Sequence, residues 1–270
     1  GALPATGALA RKVIGTASPE VQDLAQKATN YGIDLTGPQI SDSVAMKVAN
    51  KTTGQVPFSG ATAFAQKQQG QFNNAVAQTI GLPDGTTKIP PDVFRAAKQK
   101  ASQGFNTLWQ NNHLPIDQPL VHDMVSIGNE AHRIGSGDSS RIINNIIDDV
   151  VHKGQSGTLD GRAFQVIDSQ LGKLATSQDS STAHYASELQ DVLRQKIQNN
   201  MAPDDAAKLM ELRGQWRNIL NLTPILTEGS GNVPPSRLLA AVANNKAGKA
   251  QLATGTRGDL GELAQIGKHF

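Results

Sequence analysis

Hydrophobic positions recur at steps of three and four residues along most of this chain, and long runs of strict alternation are missing. That period is the mark of amphipathic helices. The pattern is clearest between Leu159 and Leu222. Phe164, Leu171 and Leu174 form one apolar stripe there. Tyr185, Leu189, Leu193 and Ile197 form a second, and Leu209, Leu212, Trp216 and Leu220 a third. The three stripes predict a helical hairpin followed by a third helix.

The same reading covers the rest of the chain. Ser18-Pro19-Glu20 is a helix start, with Ser as N-cap, Pro at the first helical position and an acid in the first turn. Val21, Leu24, Ala25 and Ala28 give that helix its apolar face, and Gly32 stops it. A turn over Ile33–Pro38 and a short helix around Ser43–Asn50 follow, broken by Thr53–Pro57. Ala61–Ile80 carries Phe64, Phe72, Val76 and Ile80 at multiples of four, which predicts one buried ridge. Pro90-Pro91-Asp92 opens a helix with Val93, Phe94, Ala97, Ala101, Phe105, Leu108 and Trp109 inward, ending at Asn111–His113. Asp117–Ile134 is the next helix, with Leu120, Val121, Met124, Val125, Ile127 and Ala131 inward. Asp138 is expected to cap its successor. The paired rows Ile142/Ile143, Ile146/Ile147 and Val150/Val151 give that helix a broad apolar face and predict a central position.

Asp160 is the expected cap of Gly161–Ala175, and Asp179 or Ser180 that of Ser181–Asn200. Pro203 starts Asp204–Leu222. A Gly/Pro-rich loop over Thr227–Pro235, a short helix Ser236–Asn244, a Gly/Lys stretch to Arg257 and a helix Asp259–Gly267 complete the chain. The expected fold class is all-α, with about ten helices in an antiparallel multi-helix bundle array and no significant β-sheet. The expected organisation is a flexible lead-in at 1–17, an N-terminal helical part at 18–113, a central helical bundle at 114–226, and a loop with short C-terminal helices at 227–270.

Composition narrows the chemistry. The 270 residues include no cysteine, so disulfides, thiolate metal sites and cysteine nucleophiles are excluded. The chain holds 23 Gln and 17 Asn, which gives the helices polar faces without fixed charge. Such faces suit an assembly surface or an ordinary polar exterior. No apolar run approaches the ~18 residues of a membrane span. The Gly/Ala-rich opening without methionine reads as a cut piece of a longer polypeptide or as a purification scar. Leu3-Pro4-Ala5-Thr6-Gly7 matches a sortase signal in letters, but that signal belongs near a C-terminus.

The net charge of +2 hides an asymmetry. Residues 59–113 carry five Lys/Arg against two Asp/Glu, 114–236 ten against fifteen, and 237–270 five against two. Opposite patches of this kind favour self-association or form an ordinary solvated surface.

Catalytic and ligand motifs are sparse in this chain. The six histidines include no HExxH and no i, i+4 pair. Glu130-Ala131-His132 is the nearest approach to a cluster and reads as surface. Asp149 is spaced to pair with Lys153, and Asp204-Asp205 suits a helix start. Nucleophile elbows and Gly-rich phosphate loops are missing. Gly135-Ser136-Gly137 could present N–H groups to an anion, though Asp138 opposes one. No catalytic, cofactor or metal residue is assigned, and the segment is read as non-enzymatic. Lys88, Arg95, Lys98 and Lys100 precede Phe105 and Trp109, whose spacing marks them as core rather than as stacking platforms. Lys246, Lys249 and Arg257 are candidates for weak, salt-sensitive phosphate contacts. Arg162, Arg213, Trp216 and Arg217 are the candidates for fixing helix packing or a subunit contact.

One resemblance runs through these segments. The order is Asp34-Leu35-Thr36-Gly37-Pro38-Gln39, Phe94–Asn111, Ile142–Val150, Leu159-Asp160-Gly161-Arg162-Ala163-Phe164, Met210–Asn218 and Asp259–Ala264. The set resembles a helical region of the internal virion, or DNA-ejection, proteins of short-tailed bacteriophages. The resemblance implies a structural protein packaged in the capsid near the portal and ejected to help deliver DNA across the host envelope. It implies a homo-oligomer, the portal and other ejection proteins as partners, DNA as a further partner, and the virion interior and then the host envelope as locations. Some members carry a peptidoglycan-cleaving transglycosylase domain, whose catalytic Glu maps to no position here. The alternatives are a nucleic-acid-binding helical module and a non-catalytic part of a peptidoglycan-degrading phage protein.

Overall fold

The computed structural model describes residues 18–40, 61–244 and 259–270. The described residues form ten helices of nine residues or more, one four-residue helical turn and a pair of three-residue strands. The protein is all-α in class. In chain order the elements are α1 (Pro19–Asn30), α2 (Gly37–Ile40), α3 (Ala61–Gln78), α4 (Pro91–Asn111), β1 (His113–Pro115), α5 (Gln118–Ile134) and α6 (Gly137–Lys153). There follow β2 (Thr158–Asp160), α7 (Gly161–Leu174), α8 (Ser180–Asn200), α9 (Pro203–Leu226), α10 (Pro235–Ala243) and α11 (Asp259–His269).

The chain divides into two compact units, one of residues 1–101 and 213–270, the other of residues 102–212. The sequence pattern suggested divisions at loops, near 113 and 226. The boundaries fall instead inside α4 and α9, because each of these long helices contributes its two halves to different cores. A hydrophobicity profile reads a helix as one object and cannot register that its face changes partner.

In the first unit, α11 packs against α10, α1 and α3. Phe72, Val76 and Ile80 of α3 meet Phe94 and Ala97 of α4 and Ile219 and Leu222 of α9 in one core. The ridge predicted on α3 is therefore buried, apart from Phe64, which is half-exposed. α1 begins as its sequence dictates. The Ser18 side chain accepts from the Val21 N–H, and Pro19 stands where no intrahelical donor is needed. An ion pair and a hydrogen bond tie α1 to α11. Lys27 lies 3.3 Å from Glu262, and the Tyr31 hydroxyl donates to the same carboxylate at 3.0 Å.

In the second unit, α8 touches α5, α6, α7 and β1. It takes the central place expected of α6. Ile143, Ile146, Ile147 and Val150 of α6 are buried, but the second row leaves the core, with Ile142 half-buried and Val151 at the surface. Phe164, fully enclosed, sets its ring 5.0 Å from that of Trp109. Enclosing a side chain of that size contributes roughly 1.5–3 kcal/mol. The Asp160 and Asp179 caps form as expected, and Asp117, read as the first residue of its helix, is the cap of α5. The cap of α6 does not: Ser136 accepts from the Ser139 N–H, and Asp138 lies within the first turn. Val125 and Leu220, placed inward by periodicity, are 44% and 55% exposed.

The strand pair was not anticipated. β1 and β2 run antiparallel with Leu114 opposite Leu159, both buried. Three residues are too few to show alternation, and their pairing spans the whole of α5 and α6. The short helix expected at Ser43–Asn50 and the lead-in at 1–17 lie outside the described residues.

Candidate functional site

The sequence-selected residues fall into both units. Arg162 is exposed on the first turn of α7, directly after the Asp160 cap. Arg213, Trp216 and Arg217 belong to the half of α9 in the first unit. Trp216 is half-buried and packs on the first unit's core. Arg213 is half-buried with a partner of its own, and Arg217 is exposed. Lys246, Lys249 and Arg257 lie outside the described residues.

The fold joins two groups of residues that are far apart in sequence. Lys98 of α4 lies over the Trp216 ring, 5.9 Å from its centroid, a cation–π contact. Arg95 and Lys98 stand one turn apart on α4, and Arg213 and Arg217 one turn apart on α9, so each pair shares a helix face. The turn that follows α3 lies close against α9. A side chain at Gly81 would run into the Gln215 amide, and Asn218 donates to the Thr79 carbonyl at 3.1 Å. The result is one cation, Lys98 of α4, set against the aromatic ring of Trp216 on α9. Trp109, by contrast, is buried in the second unit and Phe105 packs beside it, so neither is available for base stacking.

The polar side chains of α3 form a second feature. Asn73 is fully buried. Its amide donates to the Thr87 carbonyl at 2.8 Å and to Asn232 Oδ1 at 3.0 Å, and its oxygen accepts from the Val233 N–H at 3.0 Å. Gln69 donates to Asn73 and to the Val233 carbonyl. Gln68 donates to the Asp34 carbonyl, and Gln71 to the Asp34 carboxylate. Lys67 and Gln71 together hold Asp34 below the usual aspartate range. Asn74 and Gln78 both donate to Asp84 at 2.8 Å, and the Asn74 bond is the main reason that its carboxyl is depressed. Apart from the exposed Gln66, the glutamines and asparagines of α3 thus bond the loops beside them. Composition flagged these residue types but could not say what they bond.

Beside that network lies a half-open cleft with about 210 Å³ of free space. Ile33, Leu35, Phe72, Pro235, Ile266 and Phe270 supply its apolar walls, and no titratable side chain lines it. It can shelter a small apolar group but holds no acid, base or nucleophile.

The Gly135–Gly137 turn is filled from within. The Ser139 hydroxyl lies 3.1 Å from that of Ser181, and Ser136 donates to Asp179 at 3.5 Å. That carboxylate, held below its usual range chiefly by the Thr182 hydroxyl, opposes an anion at the turn. Asp149 pairs with Lys153 at 2.6 Å, as its spacing predicted. His132 lies 3.4 Å from the Ser140 hydroxyl and His184 3.8 Å from Glu188. Among the described residues no group of three or more His, Cys, Asp or Glu is placed to hold a metal ion. No described helix is long and apolar enough to cross a membrane. Comparison with protein-family models, with curated proteins and with solved structures finds no match for this chain.

Proposed function

We propose that this chain is a structural component of a short-tailed phage particle, housed inside the capsid near the portal and ejected to help carry DNA across the host envelope. The observation that carries the reading is the ordered set of segment likenesses running from Asp34 to Ala264. Their places in the fold agree with an architectural role. Leu159–Phe164 forms β2, the cap of α7 and the Phe164 anchor of the second core. Met210–Asn218 spans the part of α9 where one core gives way to the other. Asp259–Ala264 lies in α11, where Glu262 meets Lys27 and Tyr31.

The reading makes the chain a multi-copy component, with the portal and other ejection proteins as neighbours. Mass spectrometry of purified particles, filled and after triggered DNA release, tests it. The expected result is many copies per filled particle and loss from emptied ones. Absence of the chain from filled particles overturns the reading.

A further inference from the structure

The chain contains two Asp-Gly dipeptides, Asp84-Gly85 and Asp160-Gly161. In such a pair the glycine nitrogen has no side chain beside it and can approach the carboxyl group of the preceding residue. We propose that Asp84 isomerises spontaneously to isoaspartate, that Asp160 does not, and that the change at Asp84 undoes the clasp of Asn74 and Gln78 on the loop after α3.

The step balances without a cofactor. The Gly85 nitrogen bonds to Asp84 Cγ, and its proton leaves with a carboxyl oxygen and the carboxyl proton as water. The product is a five-membered succinimide ring. Water then adds to either ring carbonyl. Opening at the side-chain carbonyl restores aspartate. Opening at the main-chain carbonyl gives isoaspartate, with the chain routed through Cγ.

The fold opens this route at Asp84, which is exposed in the turn between α3 and α4. The Gly85 N–H is among the groups that bond the Asp84 carboxylate, so nucleophile and acceptor already meet. Among the described residues that N–H donates to no backbone carbonyl. Gly85 has a φ of 84°, and a β-carbon built on it would meet nothing within 4 Å. The turn therefore has room to rotate its peptide as the ring closes. The Asn74 and Gln78 amides both donate to Asp84 Oδ1. These bonds favour the ionised carboxyl at neutral pH, so product builds up over weeks rather than hours.

The same dipeptide is closed at Asp160. That residue is exposed too, so exposure does not separate the pair. Its carboxylate is occupied by the N–H groups of Arg162 and Ala163, beyond Gly161. Gly161 is buried, and its β-carbon position lies 2.3 Å from the carbonyl oxygens of Trp109 and Asn112. Its peptide has no room to turn toward the Asp160 side chain.

Isoaspartate lengthens the main chain by one carbon and leaves the carboxylate directly on Cα. Asn74 and Gln78 then lose the acceptor at the place where they now bond it.

The test is incubation of the full chain in water labelled with heavy oxygen, folded and in urea, with peptide mapping over weeks. Each ring opening writes one heavy oxygen into the peptide, and electron-transfer fragmentation separates isoaspartate from aspartate. In the folded chain, label and isoaspartate are expected at residue 84 on the order of tenfold faster than at residue 160, a barrier difference of about 1.4 kcal/mol. In urea the two positions are expected to react at matching rates. Asp84→Glu keeps a carboxylate but would have to close a six-membered ring, and is expected to lose the label. The urea unfolding midpoint is expected to fall with age in wild type and to hold in Asp84→Glu. Folded wild type without isoaspartate at 84, equal folded rates at both positions, or a preference for 84 that persists in urea overturns the proposal. So does a sample isomerised at 84 whose midpoint matches the fresh one.

Discussion

Asn73 shows how side-chain amides hold the first unit together. It is buried among apolar residues of α3, yet its donors and its acceptor meet the loops at Thr87 and Asn232–Val233. Removing it leaves the buried Val233 N–H without a partner and takes a bond from the part-buried Thr87 carbonyl, at about 1–3 kcal/mol each. Asn73→Ala is therefore expected to destabilise the protein by about 2–4 kcal/mol in urea unfolding, against a small change for the exposed Gln99→Ala. A loss below about 0.5 kcal/mol contradicts the network. Little of this was legible in the sequence. A caps-and-periods reading identified Ser18, Asp160 and Asp179, because a cap bonds within three residues of itself. Asn73 bonds residues 14 and about 160 positions away, and spacing carries no trace of that.

Asp179 links the residue scale to pH. Its depressed pKa arises from the Thr182 hydroxyl and the N–H groups of the first turn of α8, all bonding the charged form. The folded value lies below the unfolded one of about 3.9, so this contribution is present above that pH and is lost as pH falls through the folded value. Asp179→Asn keeps a capping oxygen without the titration. Melting temperatures followed from pH 6 down to pH 2 should show a shallower acid decline in the variant than in wild type. Equal slopes contradict the assignment.

At the scale of elements, the junction of β2 and α7 is the most tightly determined position. A β-carbon on Gly161 would collide with the backbone carbonyls of Trp109 and Asn112, atoms that cannot swing aside. The strand pair brings α7 this close to the end of α4, so glycine is required for approach rather than for a turn. Gly161→Ala is expected to cost about 2–3 kcal/mol. Gly214→Ala, in the interior of α9 with no atom near the added carbon, is expected to stabilise by up to about 1 kcal/mol. Denaturant midpoints of the two variants shifting the same way would contradict this account. The helices themselves were legible, because 3.6-residue periodicity survives any arrangement of neighbours. Their partners were not: α8 rather than α6 is central, and the β1–β2 contact rests on three residues a side.

At the scale of the molecule, each long helix α4 and α9 serves two cores. The charge asymmetry was visible in the sequence as three blocks, and the acidic one falls largely in the second unit, whose eight Lys/Arg and fourteen Asp/Glu sum to −6. Of the candidate residues, Trp216 acquired a neighbour in Lys98, a contact that its sequence neighbours Arg95 and Lys100 do not share. Arg162 acquired none of them, since it lies in the other unit.

The most direct test of the function proposed for the chain is cryo-electron microscopy of filled particles, made with and without the gene segment encoding this chain. The account predicts ordered density inside the capsid near the portal that disappears in the deletion, with emptied wild-type particles resembling the deletion at that place. Identical density in both filled particles contradicts it.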